Sequence, residues 1–202
     1  FRTDECKVAA DGKILHEAVY RKNSRLKVME KNVDNLVDNT KLMELFAQGA
    51  TIVFNQFSRQ QQTIQSLKVN IEKQLKATVL TNLFLSPPHS QGFTAHYDSH
   101  DVILLQLHGK KHWKVYESPI KLPLKSQAFG KYATPEAIDM GLSINQELMA
   151  GELLYIPRGF MHEALTSDET SIHLTLGIHR INKLDFIKDL FDQQALKCPH
   201  LR

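Results

Sequence analysis

Gly92-Phe93-Thr94-Ala95-His96-Tyr97-Asp98 and, far downstream, Gly151-Glu152-Leu153-Leu154-Tyr155-Ile156-Pro157-Arg158-Gly159-Phe160-Met161-His162 are the two stretches on which the reading of this chain turns. On a strand, residues two apart share a face, so the first stretch directs His96 and Asp98 into one cavity and Tyr97 away from it. In the second, an apolar strand enters a Pro-Arg-Gly turn that presents His162. Two imidazoles and one carboxylate make a facial set that leaves three positions of an octahedral metal open. That arrangement suits Fe(II), because a cosubstrate and O₂ need adjacent open positions. A His-x-Asp pair alone is weak in a chain with 10 histidines. The conjunction of the two stretches carries the reading.

Working outward, the chain from Ala77 onward reads as short strands separated by Pro and Gly. Residues 78–86 form one, closed by Pro87-Pro88, and residues 102–107 another, ended by Gly109. Further strands are read at 111–116, 152–156 and 171–178. Upstream, residues 1–32 are charged and weakly patterned, and read as arms or short strands. Asn39-Thr40 offers an N-cap to a helix with Leu42, Leu45 and Phe46 on one face, and Gly49 follows as the C′ residue. Residues 50–54 are β-branched, hence a strand. Ile64, Leu67, Ile71 and Leu75 mark a second helix by their spacings of three and four. Residues 117–143 read as an insertion with prolines at 119, 123 and 135, in which Thr134-Pro135-Glu136 starts a helix. An amphipathic helix on Leu184, Ile187, Leu190 and Phe191 ends the chain. Helices, then many short strands, then a helix suggest a sandwich or jelly roll with helices packed outside.

Composition bounds the function. A length of 202 residues fits one domain, and 42% apolar with 23% charged residues is ordinary for a globular protein. A formal charge of +3 is too small to make nucleic acid the main partner, so no direct nucleic-acid binding is expected. Cys6 and Cys198 match no metal spacing and no disulfide framework, which favours a reducing compartment. No run approaches the ~20 apolar residues of a membrane span. The first residues lack the apolar core of a signal peptide. The expectation is a soluble, cytoplasmic domain, and the initial Phe1 reads as a piece of a longer protein.

Together these motifs resemble the two cupin motifs of the JmjC-type, 2-oxoglutarate-dependent oxygenases, and within them the ribosomal oxygenase group. The matching text is Thr-Asn-Leu-Phe-Leu-Ser-Pro-Pro (81–88), Ser-Gln-Gly-Phe-Thr-Ala-His-Tyr-Asp (90–98), Leu-Leu-Gln-Leu-His-Gly-Lys-Lys-His-Trp-Lys-Val-Tyr (104–116), Pro-Arg-Gly-Phe-Met-His-Glu-Ala (157–164) and His-Leu-Thr-Leu-Gly (173–177). Ala-Thr-Ile-Val-Phe-Asn (50–55) also fits, so the resemblance covers about residues 45–180. It implies a mainly β fold, a double-stranded β-helix of the cupin, JmjC type with flanking α-helices. It implies that His96, Asp98 and His162 bind Fe(II), and that Lys111 pairs with the far carboxylate of 2-oxoglutarate. Asn82 matches a position that contacts the cosubstrate or its surroundings, and Thr175 is a candidate of the same kind. Some relatives carry a serine where this chain has Gly177. With O₂, the implied activity is hydroxylation of a C–H bond of a polypeptide, on a histidine or arginine side chain of a ribosomal protein. Residues 1–180 would be the catalytic domain. Residues 181–202 would begin a helical region through which relatives form homodimers.

The residues themselves leave alternatives open. Past Gly109, Lys111, Trp113 and Val115 share one strand face, and a lysine buried there needs a counter-charge that a dicarboxylate would supply. Otherwise Lys111 snorkels to water, with Lys110 as an equivalent neighbour. Asn82, Phe84 and Ser86 alternate on one face, so an inward amide competes with a structural one. Gln106 and Trp113 read first as structural, His173 as a residue behind the site or at the substrate, and His89 as a loop residue near substrate. His100, His108 and His112 read as bland. Lys121, Lys125 and Lys131 stand in residues 120–132 with no acid, as a solvated loop or as a basic flap for substrate. Competing functions are a cupin with another divalent metal doing isomerase or hydrolase chemistry, a non-catalytic protein-binding domain, small-peptide or natural-product hydroxylation, and lysine demethylation.

Overall fold

Alternation along the strands decides which side of each sheet is buried, and it sorts this chain into two facing sheets. The computed structural model describes residues 1–23, 26–28, 31–127 and 141–201. Strands β1 (Cys6–Ala10) and β2 (Lys13–Ile14) open the chain, followed by the small hairpin β3 (Leu26–Val28) and β4 (Lys31–Val33). Helix α1 (Asn39–Ala47), strand β5 (Thr51–Asn55), helix α2 (Gln62–Leu75) and strand β6 (Thr78–Ser86) come next. The remaining elements are β7 (Asp101–His108), β8 (Lys110–Tyr116), β9 (Leu142–Met149), β10 (Leu153–Ile156), β11 (His162–Thr166), β12 (Ser171–His179) and helix α3 (Lys183–Lys197).

The large sheet runs β10-β7-β12-β6-β5-β1-β2 and the small one β11-β8-β9, every pairing antiparallel. Val102, Leu104 and Ile156 of the large sheet meet Trp113, Val115 and Leu148 of the small one in a single apolar cluster between them. The opposite face of the large sheet presents Val79, Leu174 and Leu176 to Ile64 and Ile71 of α2. Two facing sheets with helices outside match the expected double-stranded β-helix.

Several local expectations need correction. The cap of α1 is Asp38, whose Oδ1 accepts the amides of Thr40 and Lys41 at 3.1 and 3.3 Å. An ionised carboxylate satisfies two orphan donors there, so Asn39 becomes the first helical residue. Gly49 follows as expected, at φ +101°. Strand β9 starts inside the stretch assigned to an insertion. Its Ser-Ile-Asn-Gln-Glu core (143–147) has weak β-propensity, and an edge position tolerates it because only Leu148 is buried. Strand β11 begins at His162 itself, directly after the turn. The helix start at Thr134-Pro135-Glu136 lies outside the described residues, as does Lys131. In α3 the caps are strong, with Asn182 and Asp185 in a reciprocal capping box, yet Ile187 and Phe191 of its apolar stripe are 47% and 64% exposed. No described helix is long and apolar enough to cross a membrane.

Candidate metal centre

His96, Asp98 and His162 converge, their ligand atoms all lying within 4.8 Å of one another. The backbone that achieves this is not the strand expected for the stretch 92–98. His96 makes one isolated bridge with His162, its N–H donating to the His162 carbonyl at 3.1 Å and its carbonyl accepting the His162 N–H at 2.7 Å. The Asp98 carbonyl accepts the Gly159 amide at 2.9 Å. The loop is thus stitched to the Pro-Arg-Gly turn on both sides of Tyr97. Tyr97 itself points away as expected, buried, its hydroxyl donating to the Gln127 carbonyl at 2.8 Å.

Both imidazoles are oriented by carbonyl oxygens. The Nδ1 atoms of His96 and His162 lie 2.8 Å from Thr94 O and 3.1 Å from Phe160 O. A carbonyl only accepts, so each Nδ1 carries the proton and each Nε2 keeps its lone pair for a ligand. The ring centroids are 4.5 Å apart, and Asp98 Oδ2 is 3.8 Å from His162 Nε2. Burial pushes the His162 imidazole down to about 4, with His96 adding to that and Asp98 opposing it. A neutral imidazole is the metal-binding form.

These residues open into a cavity of about 210 Å³ that runs between the sheets to Lys111. Lys111 is 4% exposed, and its Nζ donates to Ser86 Oγ at 3.0 Å. Ser86 Oγ also accepts the Thr51 hydroxyl at 3.0 Å. No carboxylate pairs with Lys111 among the described residues, and burial pushes its ammonium down to about 7. The snorkelling alternative describes its neighbour instead. Lys110 turns outward to Glu147 at 3.6 Å and Asp168 at 3.8 Å.

Asn82 and Thr175 are direct cross-strand partners in the β6–β12 register, and both line the cavity. Asn82 Oδ1 accepts the Gln56 amide at 3.2 Å, which leaves its carboxamide nitrogen as the group for a ligand. The structural and inward readings of Asn82 therefore both hold. Phe84 stacks on His173 at 4.5 Å, and Trp113 meets His173 edge-on at 5.4 Å. Trp113 serves the core and the cavity wall at once. Buried Trp113 Nε1 and His173 Nδ1 have no protein hydrogen-bond partner among the described residues. Such orphans are costly in a finished core and fit the wall of a polar ligand's site. Gln106 is structural, its amide donating to the His108 carbonyl and Ser171 Oγ, each at 2.8 Å.

His100 was undervalued by sequence reasoning. It lines the cavity and stacks on His179 at 4.3 Å. Gly177 makes its place, because a Cβ there would stand 2.8 Å from His100 Nε2. The space that a side chain at 177 would take is filled by the His100 imidazole. Only the register of β12 against the loop after Asp98 reveals this pairing. The Ser86–Thr51 support of Lys111 was missed for the same reason.

The site fits what comparison with known proteins shows. Over 118 residues the chain is 38% identical to the bifunctional lysine-specific demethylase and histidyl-hydroxylase NO66 of Drosophila pseudoobscura pseudoobscura, covering 58% of this chain and 12% of that protein. It is 35% identical over 122 residues to human ribosomal oxygenase 1, covering 59% of this chain and 19% of that protein. The chain thus spans less than a quarter of the length of either relative. Among solved structures, the Escherichia coli ribosomal oxygenase YcfD superposes with a TM-score of 0.59 at 20% identity, over 95% of this chain and 44% of that one. A further structure of YcfD, in complex with cobalt and 2-oxoglutarate, has a TM-score of 0.58 at 18% identity, over 95% of this chain and 44% of that one. Both share the fold. The JmjC domain family matches residues 53–186, well over half the chain and every residue of the site described above except Thr51, and the chain belongs to that family.

Proposed function

We propose that this chain is an Fe(II)- and 2-oxoglutarate-dependent dioxygenase that hydroxylates a C–H bond of a polypeptide, on a histidine or arginine side chain of a ribosomal protein. One observation carries this reading: the three-donor cluster and the buried Lys111, which pairs with no carboxylate among the described residues, share one cavity. The donor chemistry fits iron, and a dicarboxylate fits the lysine. His96 Nε2, Asp98 and His162 Nε2 would hold Fe(II), which with O₂ and 2-oxoglutarate supplies the oxidising power. The chain's own residues position and enclose. Lys111, supported by Ser86 and Thr51, anchors the distal carboxylate of 2-oxoglutarate, with Asn82 and Thr175 on the opposite wall. Phe84, Val102, Leu104 and Trp113 line the cavity and keep bulk water from the reacting atoms.

Membership of the JmjC family supports the chemistry, and the relatives named ribosomal oxygenase and histidyl-hydroxylase support the substrate. The relatives' names also include lysine demethylation, which begins with the same C–H hydroxylation. Residues 1–180 would be the catalytic unit, and the exposed stripe of α3 the start of a homodimer region. A cytoplasmic location follows from the same reading.

The test is an anaerobic titration of Fe(II)-loaded protein with 2-oxoglutarate. A visible charge-transfer band that saturates in the native protein and is absent in Asp98→Ala is the expected outcome. Fe(II) binding with no band rejects the oxygenase reading in favour of a different metal cupin.

A further inference from the structure

On the far side of His100 lies a second cavity, of about 320 Å³, which nothing in the chemistry above uses. His100 belongs to the walls of both cavities, so the two are neighbours through one imidazole. Leu122 and Pro123 from the loop after β8 also line the second cavity, and Lys125, Arg158 and Arg180 bring positive charge to it.

The charges there do not cancel. Lys125 is taken, 3.6 Å from Asp185 at the start of α3. The Asp185 amide is taken as well, donating to Asn182 Oδ1 at 2.9 Å. Asp101 is the one carboxylate lining the cavity among the described residues, and it is engaged. Its Oδ1 accepts the Arg158 backbone amide at 3.0 Å, and its charge helps to raise the Tyr155 hydroxyl above its ordinary value, behind the larger effect of burial. The guanidinium groups of Arg158 and Arg180 stand in no ion pair among the described residues. Arg158 is half-buried and Arg180 exposed, so one is partly desolvated and the other reachable from solvent. Two free forks offset by one acid suit a single carboxylate. A nucleic-acid backbone would call for many more cations, and the formal charge of the chain is only +3.

We propose that this second cavity is a subsite for an acidic side chain of the polypeptide substrate, with Arg158 and Arg180 holding its carboxylate while the target residue lies in the metal cavity. This rests on the polypeptide hydroxylase reading and deepens it, giving the substrate an Asp or Glu near its target. The imidazole of His100, lodged against Gly177, sets the separation between the two side chains.

Fluorescein-labelled nonapeptides test this, each with a central His or Arg and one Glu placed in turn at every other position, against Gln counterparts. Binding to the chain is read by fluorescence anisotropy at low salt, without turnover. At one or two placements the Glu peptide binds about fivefold tighter than its Gln counterpart. That preference disappears in the double variant R158Q/R180Q and persists in Asp98→Ala. Equal behaviour of Glu and Gln peptides, including binding by neither, overturns the proposal. So does an unlabelled RNA 20-mer that displaces Glu and Gln peptides equally from the native chain but not from the double variant. Loss of the 2-oxoglutarate band with the Glu preference intact would reject the oxygenase and leave this subsite standing.

Discussion

The two faces of the large sheet are built from alternate residues of the same strands, and they do different work. Toward α2, β12 presents Leu174 and Leu176, neither more than 2% exposed. Toward the small sheet it presents His173, Thr175, Gly177 and His179. Strand β6 divides likewise, with Val79 and Leu83 on the α2 side and Asn82, Phe84 and Ser86 on the other. One face is close-packed hydrocarbon. The other keeps a cavity and, among the described residues, a lysine without a carboxylate and buried polar atoms without partners, all of which cost stability. The lesson is that a period of two lets one strand stabilise the fold and build a site without compromise. A shift of register by one residue would exchange the faces and ruin both.

The sharpest way to break this division is at Asp98. Asp98→Ala should lower 2-oxoglutarate-dependent succinate formation by more than about a hundredfold, since even residues behind a metal ligand cost up to about that much. Its thermal melt should stay that of the native chain. A parallel loss of fold would show that the cavity face also carries stability.

The converse probe is Leu176→Ala on the α2 face. It should cost about 2–5 kcal/mol in urea unfolding. The affinity of the folded fraction for 2-oxoglutarate should not change, and a change would mean that the faces communicate.

Lys111→Ala comes next, raising the 2-oxoglutarate Kd about thirtyfold by isothermal titration while Fe(II) affinity holds. Equal loss of metal in both variants would refute the assignment of separate roles.

The smallest step, taken per pH unit, is in the pH dependence. Burial holds Lys111 near 7 in the ligand-free fold, against 10.5 for an ordinary lysine. An anion needs the charged form, so above pH 7 binding takes up a proton and affinity falls about tenfold per pH unit. Below pH 7 it should be flat in this group. Stability of the ligand-free fold moves the other way. The unfolded lysine holds its proton up to about 10.5, so from pH 7 to that value the unfolded state binds more protons and stability rises.

Much of this architecture is legible in the sequence. The apolar rows of 102–107 and 171–178, and the split of Lys111, Trp113 and Val115 from His112 and Lys114, follow from a period of two that burial enforces. The three converging donors are legible because motif spacing is a local property. Strand β9 is not, since Asn145, Gln146 and Glu147 sit on an edge where pairing, not propensity, decides. Nor are the pairs Thr51–Ser86, Asn82–Thr175 and His100–Gly177. Each joins residues distant in sequence through a strand register or a loop path that no periodicity encodes.

The reciprocal backbone bond between His96 and His162 has a thermodynamic consequence. Bringing two distant points of a chain together costs loop-closure entropy, and in many small metalloproteins the ion itself bears that cost, so the apo chain unravels. Here two amide hydrogen bonds close the loop through the backbone alone, with no ligand atom of the site involved. The expected consequence is a metal site whose filling is uncoupled from folding. A chelator should leave a folded, refillable protein, and exchanging one divalent ion for another should alter chemistry without disturbing the scaffold.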